Sequence, residues 1–232
     1  MSIYYCFAVL FGRPRFNKLN RFLYNLALRG LGIYNYQDCR VSGESWFIKH
    51  VLKRSGHDLV IFDVGANVGN YSKEILRNKV SVKNIYAFEP HSSTYKKLLA
   101  SVTQGPIQAV NLGLSDQECT ATLYDKANAR GSTLASLSEE IFSVVHRVET
   151  ESTQISLTTI DSFCRVNQIE CIDLLKIDVE GYEINVLRGA CEMLQAKKVG
   201  LIQFEFTQLN SSLGIFFKDF LEILDGNYDI YR

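Results

Sequence analysis

The sequence predicts an α/β fold, a doubly wound and mostly parallel sheet with helices on both faces. Residues 59–66 form a continuous apolar run closed by glycine, as expected for a parallel strand buried on both faces. Similar runs alternate with apolar stripes at helical spacing, which is the order of successive β-α units. No fixed-period repeat or low-complexity tract is present, which excludes a solenoid.

Each element has its own signal. Phe16, Leu19, Phe22, Leu23 and Leu26 recur at helical spacing, giving an amphipathic helix that Gly30 ends. Trp46, Phe47, Ile48, Val51 and Leu52 mark a second short helix that stops near Gly56. The expected organisation is a helical arm over residues 1–56 packed on the core, followed by a domain over 57–232. In that domain the run from Leu59 is the first strand, and Asn70 to Arg77 its helix. Ile85 to Glu89 is a second strand stopped by Pro90. Tyr95, Leu98, Leu99 and Val102 define the next helix, capped by Ser92 or Ser93.

Ile107 to Leu114 is a third strand, and Ala121–Tyr124 and Gln154–Thr158 are short strands flanking a polar insertion at roughly 125–153. Asp161 to Val166 is a short helix. Ile172 to Asp178 is a central strand, followed by a helix over Ile184–Leu194 with Val186, Ala190, Met193 and Leu194 facing inward. Leu201 to Phe206 is a fifth strand. Leu213, Phe216, Phe217, Phe220, Leu221 and Leu224 form a last helical stripe, read as core, with Gly226 as its stop. Tyr228 to Tyr231 is the start of a sixth strand.

Composition limits the function classes. Twenty-five Lys+Arg balance 25 Asp+Glu, so no global charge draws in a polyanion, and nucleic-acid binding is not expected. Only three prolines, with 14 Phe and 12 Tyr, exclude a disordered chain. Six cysteines without a CxxC pair, and four scattered histidines, give no zinc spacing and suit a reducing, cytoplasmic setting. The apolar stretch Ile3–Phe11 is about half the ~20 residues that span a bilayer. Its basic residues follow it, whereas a secretory signal carries them in front. Arg13, Arg15, Lys18, Arg21, Arg29 and Arg40 lie in the first 40 residues, where Asp38 is the first acid. This basic arm suits either a helix packed over the sheet edge or peripheral contact with an anionic membrane or lipid-linked substrate.

Ligands of doubly wound sheets bind outside the carboxyl ends of the strands, so the polar residues there are the candidates. The first strand runs into Asp63-Val-Gly65-Ala-Asn67-Val-Gly69-Asn70, whose two glycines let the backbone turn sharply against a ligand. A dinucleotide loop would carry glycine where Asn67 stands, and Asp63, aimed at the ligand, would repel a diphosphate but attract an ammonium or sulfonium. Glu89 ends the second strand 20 residues after Gly69, placed to accept hydrogen bonds from ribose hydroxyls. Lys176, Asp178 and Glu180 alternate along the central strand and so share a face, where a buried Lys needs an acidic partner. That cluster is read either as an ion-pair device at the sheet ends or as catalytic machinery.

DVGANVGNYS at 63–72, YAFEP at 86–90 and LLKIDVEGYE at 174–183 resemble the FkbM-type methyltransferases, with further similarity in NLGLSD, GSTLASL, TTIDSF and QFEF. The resemblance covers about residues 58–231 and implies a Rossmann-like class I fold using S-adenosylmethionine. It implies that Asp63, Gly65, Asn67, Gly69 and Asn70 surround the methionine part of the cofactor, with Glu89 on the ribose and Asp116 near the adenine. Asp63 and Glu205 would flank Lys176, with Asp178 beside the transferable methyl and Glu180 or Glu205 toward the acceptor. Asp178, Glu180 and Glu205 are thus the catalytic candidates, with His146 a further candidate base. No resident metal is expected, although Mg²⁺ on those three carboxylates is an alternative way to activate a hydroxyl. The expected acceptor is a hydroxyl of a small molecule or glycan of sugar, glycolipid or polyketide type. Arg130, Gly131, Ser132, Thr133, His146 and Arg147 of the insertion are placed to contact it, whereas His50, His57 and His91 are read as surface residues. Family members usually continue into a further antiparallel strand, so the sheet is expected to lack its last strand. The competing readings are an inactive cofactor-binding or scaffold protein and a nicotinamide-dependent oxidoreductase.

Overall fold

Strands covered on both faces need apolar side chains pointing both ways, and the runs over 59–64, 85–88 and 172–177 meet that need. A computed structural model describes residues 2–31, 43–102, 105–126 and 150–231. Its strands are β1 (Leu59–Val64), β2 (Val82–Phe88), β3 (Ile107–Val110), β4 (Gly113–Leu114), β5 (Cys119–Lys126), β6 (Thr150–Thr158), β7 (Ile172–Ile177) and β8 (Val199–Phe204). One sheet has the order β3-β2-β1-β7-β8, with every pair parallel. From β1 the chain steps outward through β2 and β3, then returns to the other side of β1, so strand order reverses between β1 and β7. This is the Rossmann-like α/β arrangement, in which ligands generally bind outside the carboxyl ends of the strands flanking such a reversal.

Two compact units divide the chain after Leu52. The first contains α1 (Ile3–Phe11), α2 (Asn17–Gly30) and α3 (Glu44–His50). The second carries the sheets with α4 (Asn70–Arg77), α5 (Ser92–Ser101), α6 (Ile160–Val166), α7 (Glu183–Arg188), α8 (Cys191–Gln195), α9 (Gln208–Ser212) and α10 (Phe217–Leu224). Its core joins Phe62, Phe88, Leu175 and Ile177 to Ile184, Val186 and Leu187 of α7 and Phe220 of α10. Phe163 of α6 meets the Phe88 ring edge-on at 4.8 Å, which fastens that helix to the sheet.

Several boundaries differ from the sequence expectation. The third strand divides: β3 stays in the large sheet, and β4 joins a second sheet of order β4-β6-β5 with its own Leu123, Ile155 and Leu157 core. The expected 184–194 helix breaks around Gly189, where a Cβ would meet Ser115 O at 2.0 Å. The last stripe is helical only from Phe217: Leu213 and Phe216 fall in the turn around Gly214, which takes a left-handed φ of +74°, and a separate helix, α9, started by a capping box on Thr207, precedes that turn. Phe220 and Leu224 are buried, whereas Phe216, Phe217 and Leu221 are exposed, so only part of that stripe is core. Neither Ser92 nor Ser93 caps α5; its cap is His91, without a side-chain hydrogen bond. Tyr228–Tyr231 form no strand: the Tyr228 hydroxyl donates to Val199 O, tying the segment to β8 by a side chain and not by a ladder.

Gly65 and Gly214 separate backbone strain from steric exclusion. Both have left-handed φ, but a Cβ on Gly65 would sit 1.9 Å from Asp178 O, while one on Gly214 meets nothing within 4 Å. In denaturant unfolding, Gly214→Ala should cost about 1–2 kcal/mol and Gly65→Ala roughly 3 kcal/mol or more. Equal losses would contradict the close approach of β1 to the Asp178 backbone.

Candidate functional site

The turn after β1 is held by the end of β2. Gly65 N and Ala66 N both donate to Phe88 O, and Gly69 N donates back to Ala66 O. Asn67 and Gly69 take left-handed φ values of 51° and 77°. Asn70, exposed, is the first residue of α4. Glu89 is 8% exposed: its Oε2 accepts from Asn67 N at 3.1 Å and its Oε1 from His91 N at 2.9 Å. Asn111, directly after β3, donates to Glu89 O and Pro90 O and closes this side of the crevice.

Asp63 and Lys176 are register partners on β1 and β7. Lys176 Nζ donates to Asp178 Oδ2 at 2.9 Å and lies 4.0 Å from Asp63 Oδ1. It also stands 5.2 Å from the centre of the Tyr71 ring, whose hydroxyl donates to Gln203 on β8. Asp63 is fully buried, and the Ser72 hydroxyl donates to its Oδ2 at 2.6 Å. Burial pushes the Asp63 carboxyl up, against the opposing pulls of Lys176 and the Ser72 hydroxyl. Asp63, expected to point at a ligand, has its carboxylate buried against Lys176 and Ser72.

The segment after β7 carries the other carboxylates. Asp178 is partly exposed, and its backbone N donates to Val64 O. Glu180 is not on the strand, which ends at Ile177; it occupies a turn with a left-handed φ of 53°. Burial and the charges of Asp178, Glu205 and Glu183 push its carboxyl up to about 8, Lys176 opposing them. The folded chain thus keeps a proton that the unfolded chain releases near pH 4.5. This group's contribution to stability is full below that pH and is lost as the pH climbs to about 8. Glu205 follows β8 directly and is part of this acidic cluster. Among the described residues, no group of three or more His, Cys, Asp or Glu side chains is arranged to hold a metal ion.

Sequence reasoning missed the supports of this turn. Glu183, 2% exposed, accepts from Val179 N and Gly181 N through Oε1 and from Asn210 Nδ2 through Oε2. It therefore fixes the segment that carries Asp178 and Glu180 and links it to the start of α9. The only sequence signal was its place in the 174–183 motif. Ser72, Tyr71, Gln203 and Asn111 were also missed, each becoming a neighbour of the site only through the fold.

Asp116, expected near the adenine, directly follows Ser115 after β4. With Ser115, Thr122, Tyr124, Tyr182 and Asn185 it lines a cavity of about 340 Å³ beside the second sheet. Burial and the Asp116 charge raise the Tyr182 hydroxyl. His91, expected at the surface, is 6% exposed, because its backbone and ring are engaged by Glu89 and Ser93. His57 is exposed and pairs with Asp173, and His50 stacks on Trp46. Arg130, Gly131, Ser132, Thr133, His146 and Arg147 lie outside the described residues.

The chain resembles known proteins over this same region. It is 28% identical over 174 residues to the hexuronic acid methyltransferase AglP of Haloferax volcanii, covering 74% of this chain and 65% of the relative. Methyltransferase 1 of Beauveria bassiana is 29% identical over 154 residues, covering 57% of this chain and 58% of the relative. The chain thus spans less than two thirds of the length of either protein. A crystal structure of the methyltransferase FkbM from Methylobacillus flagellatus covers 80% of this chain and 46% of its own, at 17% identity and a TM-score of 0.45. The FkbM methyltransferase domain model matches residues 63–230, from the end of β1 onward, and the protein belongs to that family of methyltransferases.

Proposed function

We propose that this protein transfers a methyl group from S-adenosylmethionine to a hydroxyl of a sugar-like acceptor. Glu89 is the observation that carries the cofactor reading: it is a nearly buried carboxylate fixed by the backbone N–H groups of Asn67 and His91, set beside the 65–70 turn at the carboxyl end of β2. An acidic side chain at that strand end is where the vicinal hydroxyls of a ribose would donate. Gly65, Asn67, Gly69 and Asn70 supply the turn that would hold the methionine part, while Asp63 acts from below by fixing Lys176 and Ser72. The acidic group of Asp178, Glu180 and Glu205 favours a cationic sulfonium over a diphosphate, and Asn67 stands where a dinucleotide loop needs glycine.

When bound, S-adenosylmethionine supplies an electrophilic methyl on sulfur. Alignment of the acceptor oxygen with that methyl provides much of the acceleration. As the carbon–oxygen bond forms and the carbon–sulfur bond breaks, the hydroxyl proton passes to a carboxylate. Glu180 is the base, since a carboxyl held near 8 takes up that proton more readily than an ordinary one. Asp178 faces the methyl while tied to Lys176, and Glu205 contributes negative charge on the acceptor side. A sugar-like acceptor is supported by the relative named for a hexuronic acid and by the polar, tyrosine-bearing cavity around Asp116 and Tyr182.

Calorimetric titration of the purified chain tests the cofactor reading. S-adenosylhomocysteine should bind and NAD should not, and Glu89→Ala should weaken binding by roughly ten- to a hundredfold through two lost charge-assisted hydrogen bonds. A folded chain that ignores S-adenosylhomocysteine, or binds it equally well without the Glu89 carboxylate, contradicts it. The catalytic role gives a pH test: kcat/KM should rise with pH and level off above about 8. Glu180→Gln should remove that rise and lower kcat by about 10²–10⁴ while S-adenosylhomocysteine still binds. An unchanged pH profile in Glu180→Gln excludes Glu180 as the base.

A further inference from the structure

We infer that residues 3–31 form a docking surface for an anionic lipid bilayer. Helix α1 reads IYYCFAVLF, without one charged residue, and none of its residues is buried. Ile3, Tyr4 and Leu10 are 78%, 83% and 59% exposed. A helix apolar on every side belongs in a protein core or in lipid, so its exposure calls for a covering phase. Helix α2 adds a second apolar face: Leu19, Phe22, Leu23 and Leu26 recur at i, i+3, i+4 and i+7, and all four are exposed.

The two helices form one surface. Phe11 stacks against Phe7 within α1 and meets Phe16 just before α2, and Asn20 of α2 donates to Phe11 O. The turn and α2 carry Arg13, Arg15, Lys18, Arg21 and Arg29, all exposed, and this segment contains no acid. Their long stems allow the charges to reach headgroups while the apolar face enters the acyl boundary.

Charge selects the occupant. A second copy of the chain would bring the same five cations against these five, whereas an anionic leaflet attracts them. Length sets the mode: nine residues make about 13.5 Å of helix, under half of a ~30 Å hydrocarbon core, so α1 lies in the interface. Among the described residues no helix is long and apolar enough to cross a membrane.

The test is flotation of the full chain with vesicles of phosphatidylcholine alone or with about 30% phosphatidylglycerol. It does not depend on methyl transfer or cofactor binding. The chain should float with the mixed vesicles, at least about tenfold more than with phosphatidylcholine alone, and detach as salt rises from about 0.05 to 0.5 M. Phe22→Ser with Leu26→Ser, and separately Lys18→Gln with Arg21→Gln and Arg29→Gln, should each abolish flotation. These side chains are exposed, so an unchanged circular dichroism melt is expected. A folded chain that does not float, that floats equally with neutral vesicles, or whose flotation survives both variants overturns the inference. So does a salt-resistant dimer in sedimentation velocity that the Phe22/Leu26 variant dissociates.

Discussion

A lysine ammonium placed inside the end of a parallel sheet has to be neutralised where it stands, and the rest of the site follows from how this chain does it. Lys176 is 6% exposed, with Asp178 at 2.9 Å, Asp63 at 4.0 Å and the Tyr71 ring as its remaining wall. Those partners come from β1, α4 and the turn after β7, so one charge ties together the elements on either side of the strand-order reversal. Ser72 holds Asp63, and Gln203 holds Tyr71, which extends the constraint to β8. The tight approach of Gly65 to the Asp178 backbone is the steric side of the same junction.

From that junction the chemistry divides by exposure. Asp63 is fully buried and turns its carboxylate to Lys176. Asp178, Glu180 and Glu205 are each partly exposed, and burial, followed by the charges of Asp178, Glu205 and Glu183, raises the Glu180 carboxyl. Glu183 and Asn210 hold the turn that keeps those carboxylates close despite their repulsion. The chain belongs to the FkbM methyltransferase family. The acidic cluster and the Glu89 end of the crevice are the features of this chain that favour a cationic methyl donor.

The sheet was legible because parallel strands buried on both faces leave continuous apolar runs, as in Leu59–Val64 and Ile172–Ile177. Helix breaks were less legible. The interruption around Gly189 depends on Ser115, a tertiary neighbour far away in sequence, and the 213–224 stripe conceals a turn at Gly214. At the site, the glycine turn and Glu89 stood out by type and spacing; a buried Lys176 called for an acidic partner, and the family resemblance put Asp63 and Glu205 beside it, of which Asp63 is its register partner on β1 while Gln203 holds that place on β8. Glu180 was misplaced onto the strand because alternation cannot reveal where a strand stops and a left-handed turn begins. Glu183, Asn210 and Asn111 carried no local signal, since their roles are hydrogen bonds between segments that only the fold brings together.

The most direct test of this account is a double-mutant cycle on unfolding free energy between Lys176→Met and Asp63→Asn. Lys176→Met alone should cost roughly 3–5 kcal/mol, because it leaves carboxylates buried without their cation. Adding Asp63→Asn should recover at least about 1 kcal/mol, a coupling expected of groups in one charge network. Strictly additive losses would show that Asp63 and Lys176 act independently and would contradict a shared charge at the base of the site.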